Sequence, residues 1–144
     1  MLLVSIASLL GVFILNLMLG IKYGFGFRHY WFFESLHFLS GFFLAMFLSN
    51  FTDSKIFIFL GIATVSFLWE IAEYLIGKVP ELSINFKKAF SLKKNMNLQP
   101  KLQDTILDII LNFAGAVVFI YFIEIWIRKI SIFSTFSFIS HYNV

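Results

Sequence analysis

The stretch IFIFLGIATVSFLWEIAEYLIG (residues 56–77) decides the fold. At ~1.5 Å rise per residue it is long enough to cross the ~30 Å hydrocarbon core of a bilayer as a helix. It carries no charge until Glu70 and Glu73, which stand near its end. It does not alternate polar and apolar residues, as a membrane barrel strand would.

Three more apolar runs lie outward from this one. Residues 2–21 are uncharged up to Lys22. This run reads as a span rather than a secretory leader, because no Lys or Arg precedes it and no clean small-x-small cleavage site follows. Residues 34–51 form the second run, with Glu34 and His37 at its start, and residues 104–127 form the fourth, opening on Asp104 and Asp108. The sequence therefore predicts an all-α integral membrane protein. It is a four-transmembrane-helix bundle with short interfacial segments, forming a single transmembrane domain over 1–144.

Composition agrees. Of 144 residues, 60% are hydrophobic and 13% charged, against ~25% charged in soluble domains. The mean hydropathy is +0.89. The chain has no cysteine, which excludes disulfides, thiolate catalysis and Cys-ligated zinc or iron–sulfur centres. There is no P-loop, G-x-S-x-G or H-E-x-x-H motif.

The connections differ in character. KYGFGFRHYWFF (22–33) is broken by glycine and rich in aromatics, a composition suited to the membrane–water interface. NFTDSK (50–55) is a short turn. Residues 78–103 are a lysine-rich loop bracketed by Pro80 and Pro100. Phe86, Phe90, Leu92 and Leu98 interrupt its lysines, as in an amphipathic interfacial stretch drawn to anionic lipid headgroups, and this does not suit nucleic acid. The tail 130–144 is rich in Ser and Phe, too short to span, and expected at the interface. His29 and His141 are also expected there, and Trp69 is expected to pack or anchor.

Four spans place the first and third connections on one side. That side holds Lys22, Arg28, Lys78, Lys87, Lys88, Lys93, Lys94 and Lys101; the other holds Lys55, Arg128 and Lys129. The positive-inside bias puts the lysine loop in the cytoplasm and both termini outside.

Alternating helix direction brings the polar residues to one depth. Glu34 and His37 open the second span, Glu70 and Glu73 close the third, and Asp104, Asp108 and Asn112 open the fourth. Asn16 stands late in the first. The i,i+3 and i,i+4 spacings put each set on one helix face. Gly41 and Gly115 follow on the same faces, where small residues permit close helix approach. One shared polar cluster is expected. An acidic residue at a helix centre costs ~2.5–3.5 kcal/mol on insertion scales, and clustered carboxylates must share protons or take a metal or basic ligand.

The motifs E-S-L-H-F-L-S-G-F (34–42), W-E-I-A-E-Y (69–74) and D-T-I-L-D-I-I-L-N-F-A-G-A (104–116) occur in this order. Together they resemble the VanZ-like and YjdF-like small membrane proteins. The positions that carry the likeness are His37, Phe38, Glu70, Glu73, Asp104, Asp108, Asn112 and Gly115. VanZ-like chains usually place Asp-Lys before the helix-2 pair; here there is no Lys and Glu34 replaces the Asp. The resemblance implies a multi-helix membrane domain of poorly defined activity, associated in VanZ itself with glycopeptide-antibiotic resistance; the expected location is a bacterial or archaeal cell membrane, crossed several times.

Three functional readings follow. In the first, the cluster belongs to a membrane-embedded enzyme or a lipid-headgroup or metal-binding protein. Its catalytic candidates are His37, Glu70, Glu73, Asp104 and Asp108, its binding candidates Glu34, Asn112 and Asn16, and its divalent-metal ligands His37, Glu70, Glu73 and Asp108. Glu34-x-x-His37 echoes di-iron bundles, but these need a second such motif, which the chain lacks. In the second reading the cluster is a structural polar network in a membrane-complex subunit. In the third it is a proton or cation pathway, although no inverted repeat is visible. The bilayer is the expected partner throughout, with self-association or other membrane subunits as further partner classes.

Overall fold

In the computed structural model the described residues are 1–29, 31–93, 98 and 101–141, with the side chains of Glu124 and of 126–141 left undescribed. Tyr30, Lys94 and Pro100, and the side chains of Arg128, Lys129 and His141, thus lie outside the described set. The described chain is helical and contains no strand.

Helix α1 covers Leu2–Leu15 and continues through Asn16–Lys22 with a wider, π-helical winding. There the Tyr23 N–H reaches the Met18 carbonyl at 2.9 Å, five residues back. Gly24, at φ 68°, then turns the chain into the short α2, Phe25–Arg28. That left-handed conformation is one a Cβ would oppose. Helix α3 is Trp31–Leu48 and α4 is Lys55–Lys78. Between them Asn50 caps α3, its Nδ2 donating to the Met46 carbonyl at 2.7 Å and the Phe47 carbonyl at 3.1 Å. These bonds satisfy carbonyls that the helix end leaves open.

Part of the lysine-rich segment folds as α5, Pro80–Ala89. Pro80 suits its first turn, where the missing N–H costs nothing. Glu81 stands in the first turn and Lys87 and Lys88 in the last, the charge order that the helix dipole favours. Helix α6 runs over Leu102–His141, so the backbone at 130–141 continues the helix of the fourth span.

Four helices are long and apolar enough to cross a membrane: Leu2–Lys22, Trp31–Leu48, Lys55–Lys78 and Leu102–Ile123. Their outer faces are apolar. Leu3 is 81% exposed and Ile56 72%, a distribution that suits lipid rather than water as the surrounding solvent.

The core is small and lies between α3, α4 and α6. Ala45, Met46, Ile58, Ile62, Ala116 and Phe119 form its buried centre. The Phe42 and Phe119 rings meet edge to face at 5.3 Å, and Phe59 stacks on Phe113 at 6.0 Å. The most extensive helix pair is α3 with α6. Its closeness rests on two glycines. A Cβ at Gly41 would overlap the Asn112 carbonyl, and one at Gly115 would overlap the Phe38 carbonyl. Backbone thus lies directly on backbone at the level where the polar residues begin.

Candidate functional site

Each polar residue is delivered by a helix whose apolar sequence fixes its place. Helix α3 presents His37 one turn before Gly41, and α6 presents Asp108 and Asn112 just before Gly115. Because the two glycines clamp these helices together, the imidazole lies against α6. His37 Nε2 stands 3.6 Å from Asp108 Oδ2, and the Asn112 amide Nδ2 lies 3.5 Å from His37 Nδ1. The latter is at the long edge of hydrogen-bonding distance. His37 and Asn112 are buried, and Asp108 is partly buried.

Glu70 comes from the opposite direction, on the last third of α4. His37, Glu70 and Asp108 each offer one ligand atom, and these atoms lie within 4.8 Å of one another. Glu70 is only 7% exposed, and neither carboxylate oxygen has a hydrogen-bond partner. Nearby, Glu34 is equally secluded, and its Oε2 is also buried without a partner.

A cavity of about 350 Å³ adjoins the group. Glu34, His37, Glu73, Asp104 and Asp108 line it, with Asn16 from the π-helical end of α1. The rest of its wall is largely apolar and aromatic, including Phe27, Phe33, Trp69 and Phe86. Such a volume is within the range of about 300–1,000 Å³ found for small-molecule sites.

The residues expected to share one cluster are placed in separate sets. His37, Glu70 and Asp108 form the compact group, with Asn112 supporting the imidazole. Glu73, the fourth expected metal ligand, is not in that group and faces the cavity instead, as do Asn16, Glu34 and the exposed Asp104. The sequence did not single out the other wall residues. Trp69, expected to pack or anchor, lines the cavity while its ring meets Phe13 at 6.2 Å. Phe86 reaches the cavity from α5. Gly20 and Gly26 are spaces for the Phe33 ring: an added Cβ at Gly20 would come within 2.7 Å of it, and one at Gly26 would overlap it. The one visible signal for this wall was the Gly-broken aromatic run at 22–33.

Fold and site together define a four-span helical membrane protein with a His/Glu/Asp group between its helices. The chain belongs to the family described as predicted membrane protein (DUF2238), whose model matches residues 2–129 and so includes every residue of the group and the cavity. No curated protein and no solved structure matches the chain.

Proposed function

We propose that this is a membrane-embedded metal-binding protein in which His37, Glu70 and Asp108 hold one divalent cation beside a ligand-sized cavity. The observation that carries this reading is Glu70. A carboxylate that is buried, with both oxygens unpartnered, is costly unless something positive meets it. Its neighbours include an imidazole and a second carboxylate, which are ligands and not counter-ions, and the neutral side chain of Thr105.

The donor set is one nitrogen and two carboxylates, suited to zinc, manganese or iron. Bonds of about 2.0–2.2 Å to such ions need a closure of only an ångström or so from the 4.8 Å spread. Asn112 supports the imidazole through the other ring nitrogen, the usual outer partner of a metal-bound histidine. Rotation of its amide lets it serve either tautomer. Three protein ligands leave coordination positions open, and His37 and Asp108 also line the cavity. An ion there would supply Lewis acidity and an activated water. Glu73 and Asp104, on the same wall, are placed for acid–base work on whatever occupies the cavity.

A purely structural network is less well supported. Such a network satisfies its buried members, whereas Glu70 leaves both oxygens and Glu34 one oxygen without a partner. The order of motifs from Glu34 to Gly115 is the ground for kinship with VanZ-like and YjdF-like proteins. Glycopeptide resistance is not carried over, because the charge bias puts this end of the bundle on the cytoplasmic side.

Titration of Mn²⁺ or Zn²⁺ into metal-stripped protein in nanodiscs tests the reading. The expected result is a single site per chain, weakened more than tenfold in Glu70→Gln. Absence of binding, or equal binding by wild type and variant, would refute it.

A further inference from the structure

The cavity beside the metal group has its own chemistry. Glu34, Glu73 and Asp104, from α3, α4 and α6, are among the residues that line it, and no Lys or Arg lines it among the described residues. Glu34 is 9% exposed, and its Oε2 is buried without a partner. The lining is also aromatic, with Phe27 and Phe33 meeting edge to face at 5.7 Å and Phe86 contributed by α5. Carboxylates and aromatic rings lining one cavity are the surroundings that bind an organic ammonium group, through charge and through the ring quadrupoles. A free anionic headgroup meets the wrong sign of charge here.

Among the described residues, the cationic side chains at this end are not part of the cavity lining. Lys22, Arg28, Lys78 and Lys88 are exposed. Anionic headgroups are thus drawn to the rim while the interior is reserved for positive charge. The apolar lining and the depth within the bundle fit a ligand that carries a chain as well as a head.

We infer that the cavity binds the ammonium group of an amphiphile, with Glu34, Glu73 and Asp104 as its counter-charges and Phe27, Phe33 and Phe86 as its aromatic wall. This deepens the reading above by naming the ligand class of the cavity that adjoins the metal group, and it rests on that reading only for their adjacency. The ammonium can come from a bilayer lipid or from a soluble amine.

The test uses the full chain in nanodiscs of mixed phosphatidylethanolamine and phosphatidylglycerol, with native mass spectrometry of the lipid that stays bound. A second arm titrates soluble ethanolamine and choline into protein held in phosphatidylglycerol alone. Metal stoichiometry is measured on the same samples. Roughly tenfold enrichment of the ethanolamine lipid, lost in both Glu34→Gln and Glu73→Gln, supports the inference with a lipid source. Saturable binding of the soluble amines without lipid enrichment, lost in the same variants, supports it with a soluble source. Retention of phosphatidylglycerol at or above phosphatidylethanolamine, with no amine binding, overturns it. Because Glu73 is not in the metal group, Glu73→Gln with intact metal uptake and lost ammonium binding separates the two sites. Intact ammonium binding in a protein that takes no metal would refute the metal reading alone.

Discussion

A buried polar group left without a partner costs about 1–3 kcal/mol, and Glu70 leaves both its oxygens so placed. That cost gives opposite expectations for the two main readings. If the group awaits a cation, Glu70→Gln removes a liability from the metal-free protein. Thermal unfolding in detergent with chelator should then show the variant as stable as wild type or more so, while metal no longer raises its melting temperature. A structural network predicts loss of stability with and without metal. Asn112→Ala should weaken metal binding by about 10–100-fold, the usual effect of losing the outer partner of a metal-bound histidine. Since the ligands must be deprotonated to bind, affinity measured by titration should fall as the pH is lowered. At this scale the sequence was informative. His37, Glu70 and Asp108 stood out because an apolar helix gives an ionisable side chain nowhere inexpensive to go. Helix spacing alone could not separate Glu73 from Glu70. Both lie on the same broad face of α4, and which of them meets His37 depends on how the helices are rotated against each other.

Among the helices, the α3–α6 contact sets the geometry of the site. Gly41→Ala and Gly115→Ala each drive a methyl group into the facing backbone, and backbone cannot step aside as a side-chain tip can. Overpacking of this kind costs typically 1–3 kcal/mol, about the range expected for each variant in a detergent unfolding assay. The contrast is Gly11, where an added Cβ meets nothing within 4 Å. Gly11→Ala should be neutral, or stabilising by about 0.5–1 kcal/mol through helix propensity. The position of both contact glycines, a turn beyond His37 and beyond Asn112, made this approach legible in advance. The π-helical end of α1 and the helix α5 were less so. A π-helical segment leaves no clear mark in residue order. The lysine-rich segment reads as polar, and its folding into Pro80–Ala89 depends on a proline start and a charge order that are only local hints.

For the whole molecule, eight of the 11 Lys and Arg flank the cavity end of the bundle, so the positive-inside bias predicts that this end faces the cytoplasm. The absence of native cysteine makes this direct to check. A single cysteine at Lys93 should react with a membrane-impermeant maleimide only in inverted vesicles, and one at Asp53 only in intact cells. The opposite pattern would reverse the orientation and place the site on the outer side. The central claim is that His37, with Glu70 and Asp108, holds a metal ion inside the membrane bundle. Pulsed electron paramagnetic resonance of the Mn²⁺-loaded protein tests it most directly, since a bound imidazole gives a nitrogen modulation that oxygen ligands do not. The account predicts that modulation in the wild type and its loss in His37→Gln. Mn²⁺ that binds with no nitrogen coupling, or with coupling unchanged in His37→Gln, would contradict it.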